Sequence, residues 1–204
     1  MTTKDHERML AGALRLSISA FGFVEESLLW FVRTNPGVAH CLGIGTRTDQ
    51  HRVLVSGTAG ISFSGINTIL KPEIKEAIYP TVVVPFHFLH ENRSFFEWAI
   101  ESVDAVAHVA EEITVEIRDF AVPFFEKYSD LAALKSSLES PNPMDWFCHT
   151  PEQRIVTLAA IEAVEGDTDK AIRILDEALA ERMGAPPKKR SLIELIRGRL
   201  LLRV

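Results

Sequence analysis

The segment His87-Phe88-Leu89-His90-Glu91 places two imidazoles and a carboxylate within five residues. Zinc takes such ligands. The zincin arrangement sets its histidines four apart on one helix face, whereas here the spacing is three, inside what reads as a strand. Alternation along a strand sends His87 and His90 to opposite faces, so a metal site at His87, His90 and Glu91 requires a bend near Leu89–Asn92. The alternative is an outward His87 and a strand-end His90 bonded to backbone. His40-Cys41 also alternates across a strand, with Cys41 a small core filler, and Cys148-His149 precedes a helix cap. No cofactor motif is complete. Gly43-Ile44-Gly45 lacks the third small residue of a dinucleotide loop. Ser62 and Ser64 sit near Gly60 without the base and orienting group that a nucleophile needs.

A second set of charged side chains comes from one predicted helix. Ser94-Phe95-Phe96-Glu97 matches a capping box. Phe96, Ala99, Val103, Val106, Ala110, Ile113 and Ile117 then recur at spacings of three and four, predicting a long helix with one apolar seam. Its opposite side collects Glu97, Glu101, Asp104, His108, Glu111, Glu112 and Glu116. Equally wet carboxylates supply no acid–base pair. They are a solvated face or a docking surface for a basic protein partner, where complementary charge raises the association rate.

The other elements are those of an α+β chain. A helix is expected over Lys4–Phe21, stopped by Gly22. Strands are expected at Val24–Val32, Val38–Thr46, Arg52–Ser56 and Thr81–Leu89, joined by short connections that imply an antiparallel sheet of about four strands. Gly57–Asn67 reads as a bulged strand or a loop, and Pro72–Ile78 as a short helix. Pro85 confines its strand to an edge or a bulge. Pro123 ends or kinks the long helix. A short helix follows over Asp130–Leu138, capped by Ser129. Ser140-Pro141-Asn142-Pro143 reads as a linker, dividing an α+β domain (1–140) from a helical hairpin and terminal helix (150–204). Thr150-Pro151-Glu152-Gln153 caps the first helix of that hairpin, Gly166-Asp167 separates its two helices, and a last helix spans Ser191–Leu202. Trp146-Phe147 either staples the hairpin down or forms a contact patch.

Leu158-Ala159, Gly166-Asp167, Ala171, Leu175 and Ala178 give residues 153–185 a resemblance to one tetratricopeptide unit. Ile155, Glu162 and Thr168 depart from that motif's aromatics. A single copy implies a lone helical hairpin, since solenoids generally stack about three or more repeats. Gly22-Phe23, the small sheet and Pro123-Phe124-Phe125 before a short helix give residues 10–139 a resemblance to a bacterial α+β family of no established activity. It implies a fold and supplies no catalytic residues.

Composition sets the outer limits. The chain has 204 residues and a net charge of −6, which argues against a nucleic-acid surface. Its cations gather late: Lys188, Lys189, Arg190, Arg197, Arg199 and Arg203 face one acid, Glu194. Such a tail can lie on the acidic body of its own chain or of a second copy. Two distant cysteines fit a reducing compartment. The polar N-terminus and the lack of a membrane-length apolar run place the chain in the cytoplasm. Together these features favour a non-enzymatic binding or accessory module, of immunity type by analogy. The alternative is a small enzyme or ligand-binding protein with a pocket between sheet and long helix.

Overall fold

The computed structural model describes residues 2–73, 78–181 and 191–202 and shows an α+β protein with a six-stranded sheet. The chain forms two compact units: Met1–Ile61 with Val83–Tyr128, and Ser62–Val82 with Ser129–Val204. The stretch expected as a linker, Ser140–Pro143, falls inside the second unit. Trp146 Nε1 donates to the Ser140 carbonyl (2.8 Å), and the Arg154 guanidinium lies over its ring (4.6 Å). Among the described residues no helix is long and apolar enough to cross a membrane.

The first unit opens on α1 (Thr3–Ile18), where Thr2 and Asp5 form a reciprocal capping box. Leu10, Leu14 and Ile18 recur on one buried face, and a 3-10 turn carries the chain to Gly22, left-handed at φ 80°. Strands β1 (Val24–Ser27) and β2 (Trp30–Asn35) replace the single strand expected over Val24–Val32, because Leu29 turns the chain at φ 60°. β2 pairs antiparallel with β3 (Val38–Asp49), with Arg33 opposite His40 and Trp30 opposite Gly43. β4 (Arg52–Phe63) runs through Gly57 and Gly60 without a break. Then come α2 (Ser64–Leu70), β5 (Val82–Pro85) and β6 (Trp98–Ile100). Strands follow the order β1-β2-β3-β4-β5, with β6 also on β4. β5 ends at Pro85, whose missing N–H cannot extend a ladder, and Phe86–Leu89 form a 3-10 turn where a continuing strand was expected.

The long helix begins later than its pattern predicts. Ser94–Glu97 lie outside any helix, and Trp98–Ile100 pair with Val53–Val55 as β6. The Ser94 amide donates to Asn92 Oδ1, and Glu97 is held by Arg47. A local helix signal thus yields to strand pairing across the sheet. α3 (Ala105–Glu116) buries Val106, Val109, Ala110 and Ile113, while Val103 is left 46% exposed. A π-turn, Ile117–Ala121, leads into α4 (Val122–Tyr128), and the Val122 amide reaches back five residues to the Ile117 carbonyl. Pro123 accounts for the irregularity: it lacks an N–H and its ring crowds the preceding turn.

The second unit is mainly helical. α5 (Leu131–Glu139) is capped by Asp130, not by Ser129, because Asp130 accepts the amides of Ala132 and Ala133. α6 (Pro151–Val164) is capped reciprocally by Thr150 and Gln153 and is buried over most of its circumference, as befits a central helix. α7 (Thr168–Glu181) packs on it, burying Ala171, Leu175 and Ala178, and α8 (Leu192–Leu201) packs on both. Glu162, 3% exposed, is bonded by Lys135 (2.9 Å) and Lys170 (2.8 Å). Burial alone would raise its carboxyl pKa, but the two ammonium groups outweigh that and hold it low. Arg199 of α8 donates to the Ile69 and Leu70 carbonyls, closing the C-terminus of α2, a recurrent use of arginine. Arg197 pairs with Asp176. Two of the late cations are therefore engaged within this unit. Lys188, Lys189, Arg190 and Arg203, and most of the helix expected over Pro72–Ile78, lie outside the described residues.

Candidate functional site

β4 is buried continuously over Val53–Val55 and again over Ala59–Phe63, and between these runs stand three small residues, Ser56-Gly57-Thr58. A glycine inside a strand marks a close approach. A Cβ at Gly57 would stand 2.3 Å from the ring of Phe86, so only glycine admits that ring against the strand. The 3-10 turn after Pro85 brings Phe86 there and sets His87 beside it. β6 pairs with β4 only as far as Val55. Beside the next three residues of β4 lies a cavity of about 200 Å³, lined by Ser56–Thr58, Pro85–His87, Phe95 and Phe96.

Its walls are chiefly aromatic. Phe86 packs edge-on to Trp98 (6.3 Å, 83°), and Phe96 does the same to Trp98 (5.1 Å, 82°). His87 meets Phe95 at 5.3 Å and 73°. Phe95 is 68% exposed and stands at the rim. Thr58 donates to the Gly43 carbonyl (3.3 Å). Among the described residues, the Ser56 hydroxyl and the His87 ring nitrogens have no hydrogen-bond partner.

His87 and His90 are not brought together. His90 caps the 3-10 turn, and its Nε2 lies 2.8 Å from Glu116 Oε1. Its ring is wedged between Phe96 (5.5 Å) and Phe120 (4.0 Å). The partner is a carboxylate on α3, not the backbone group expected of a strand-end histidine. Burial raises the Glu116 pKa, opposed by the His90 hydrogen bond. Glu91 is exposed. Among the described residues no group of three or more His, Cys, Asp and Glu side chains is placed to hold a metal ion.

The seven acidic-face residues separate likewise. Glu97 precedes β6 and forms a two-pronged pair with Arg47 (2.6 and 3.1 Å), which lowers its pKa. Glu116 is buried. Glu101 and Asp104 are exposed ahead of α3. His108, Glu111 and Glu112 are exposed on α3, with His108 and Glu112 3.5 Å apart. What survives of the predicted face is Glu101, Asp104, His108, Glu111 and Glu112.

The remaining reactive groups have structural partners. Ser62, 7% exposed, accepts from Asn67 Nδ2 (2.9 Å), whose amide also donates to the Tyr79 carbonyl and accepts from Thr81. Ser64 begins α2. His40 is 3% exposed; its Nδ1 accepts from Arg33 Nε (3.0 Å) and its ring stacks on Phe125 (4.7 Å, 16°). Burial, then Arg33, push its pKa down to about 4. Burial pushes the Cys41 thiol up to about 12. His149 is partly buried, and burial lowers its pKa.

The sequence reading named His87 but missed the cavity's other walls. The available signal was Ser56-Gly57-Thr58, taken as a strand end when it marks a place where a ring presses against a continuous strand. Comparison with protein-family models, curated proteins and solved structures gives no match to this chain.

Proposed function

We propose that this chain is a binding protein whose ligand is a small, largely apolar molecule seated beside Ser56–Thr58. One observation carries the reading: an aromatic-walled cavity of about 200 Å³ whose lining includes Ser56 and His87, side chains with no hydrogen-bond partner among the described residues. Small-molecule sites combine apolar walls with a few polar groups that fix orientation. The size suits a fragment-sized ligand, since a dry apolar cavity of roughly 150 Å³ is enough to take benzene. Titration with toluene, followed by amide NMR, tests the reading. Saturable shifts at Ser56–Thr58, His87, Phe95 and Phe96 are expected; none at millimolar toluene would remove it.

A second reading retains a basic protein as partner. Glu101, Asp104 and Glu111 are exposed and make no ion pair among the described residues, so their field is not neutralised locally. Reversing Glu101, Asp104, Glu111 and Glu112 to Lys tests it. Glu116 must be spared, because it is buried against His90. Equal binding of a lysine-rich test peptide by both proteins excludes the acidic surface.

A further inference from the structure

The cavity's wall is anchored from outside. Resting on the reading of the cavity as a ligand site, we propose that His90 and Glu116 are its positioning pair. Neither residue lines the cavity; together they hold the segment that supplies two of its three lining stretches.

The topology lets one contact serve two walls. The lining comes from Ser56–Thr58 on β4, from Pro85–His87 at the end of β5, and from Phe95 and Phe96 ahead of β6. His90 stands between the second and third stretches, and the chain from His90 to Glu97 lies in no helix or strand. The Arg93 amide donates to the His90 carbonyl (3.2 Å) and the Ser94 amide to Asn92 Oδ1 (3.2 Å). Those bonds shape the turn without tying it to another element. The bond between His90 Nε2 and Glu116 Oε1 (2.8 Å) does tie it, to the last residue of α3.

The same ring carries the restraint to the cavity. His90 meets Phe96 edge-to-face at 5.5 Å and 88°, and meets Phe120 of the π-turn at 4.0 Å. On its other side in the chain, His90 caps the 3-10 turn that presents Phe86 and His87. An ionised carboxylate only accepts, so Nε2 carries the hydrogen and Glu116 sets the orientation of the ring. Turning the ring would break that bond and the contact with Phe96 together.

Stability alone does not call for this pair. Glu116 is 8% exposed, and burial works against its ionisation. Apolar side chains of similar volume commonly hold a fold as well as a buried ion pair, or better. A hydrogen bond adds direction, which preorganises a site in a way that apolar packing does not.

The experiment compares wild type, Glu116→Gln, and the double variant His90→Leu with Glu116→Leu, each as the full chain. Urea unfolding, ligand-free NMR order parameters over residues 86–97, and toluene titration are measured. The double variant should keep the wild-type urea midpoint or exceed it, yet show lowered order parameters. It should bind toluene at least about tenfold more weakly, the effect of one lost charge-assisted hydrogen bond. Glu116→Gln, whose carbonyl still accepts from Nε2, should restore the order parameters and bring affinity back to within about threefold of wild type. Wild-type affinity in the folded double variant overturns the proposal, and so does a Glu116→Gln protein as weak as the double variant. If the double variant does not fold, Glu116→Asp, which draws the acceptor back by one methylene, replaces it with the same expectations for order and affinity. Absence of toluene binding by wild type removes the ligand site itself; the ligand-free order parameters then still decide whether the pair anchors the segment.

Discussion

Acidification from pH 7 to pH 4 should destabilise the first unit through His40. The folded protein holds this imidazole at about 4 against an ordinary value of 6.5. Between those values the unfolded chain binds a proton that the folded chain refuses, so stability falls as pH falls. The contribution is fully present above about pH 6.5 and is lost as pH drops toward 4, where the loss levels off. Integrating over that window gives about 2 kcal/mol lost by pH 5 and about 3 kcal/mol by pH 4. The cause is local. His40 is 3% exposed, stacked on Phe125, and its Nδ1 already accepts from Arg33, so protonation would set a second positive charge against the guanidinium. Urea unfolding of wild type and His40→Gln at pH 7, 6, 5 and 4 isolates the effect. The glutamine carbonyl can still accept from Arg33 but does not titrate, so the other ionisable groups cancel in the difference. Wild type should lose about 2–3 kcal/mol more than the variant across the range. Parallel pH profiles would refute the reasoning, whatever their absolute heights.

Gly57→Ala should destabilise by about 1–3 kcal/mol in urea titration, because the new methyl meets the Phe86 ring at 2.3 Å; it should also abolish toluene shifts. Glu162→Ala removes the shared partner of Lys135 and Lys170. Since Lys170 is 42% exposed and can rehydrate, a loss of about 1–3 kcal/mol is expected in urea unfolding, and a wild-type midpoint would contradict the assignment. Arg199→Lys keeps the charge but not the planar guanidinium, whose Nη1 reaches the Ile69 and Leu70 carbonyls while Nη2 reaches Glu73, so a loss of about 1 kcal/mol is expected in the same assay. A thiol reagent at pH 8 should label exposed Cys148 in the native protein, and both cysteines only after unfolding, because Cys41 is buried with its thiol held protonated. Rapid native labelling of two thiols would contradict that burial.

Local chemistry was read well where neighbours in sequence decide it. The reciprocal cap at Thr150, the left-handed stop at Gly22 and the helices of the second unit follow from residues within one turn of each other. Core placement of Cys41 and the irregularity at Pro123 likewise need no distant partner to be foreseen. The α+β class follows because helical and alternating periodicities occupy different stretches of the chain. Ser94–Ile100 misled for the opposite reason. Its capping pattern is a valid local signal, but Val53–Val55 offer Trp98–Ile100 a strand partner about 45 residues away, and pairing across a buried sheet outweighs a cap worth about 1 kcal/mol. That one exchange moved Glu97 off the helix and turned Phe96 into a cavity wall. The pairing of His90 with Glu116, the separation of His87 from His90, and the placing of Ser56, His87 and Phe95 around one cavity all depend on chain crossings that no local spacing encodes. The amino-acid sequence determined which groups could do chemistry; tertiary packing decided which of them already had partners and which were left facing an open space.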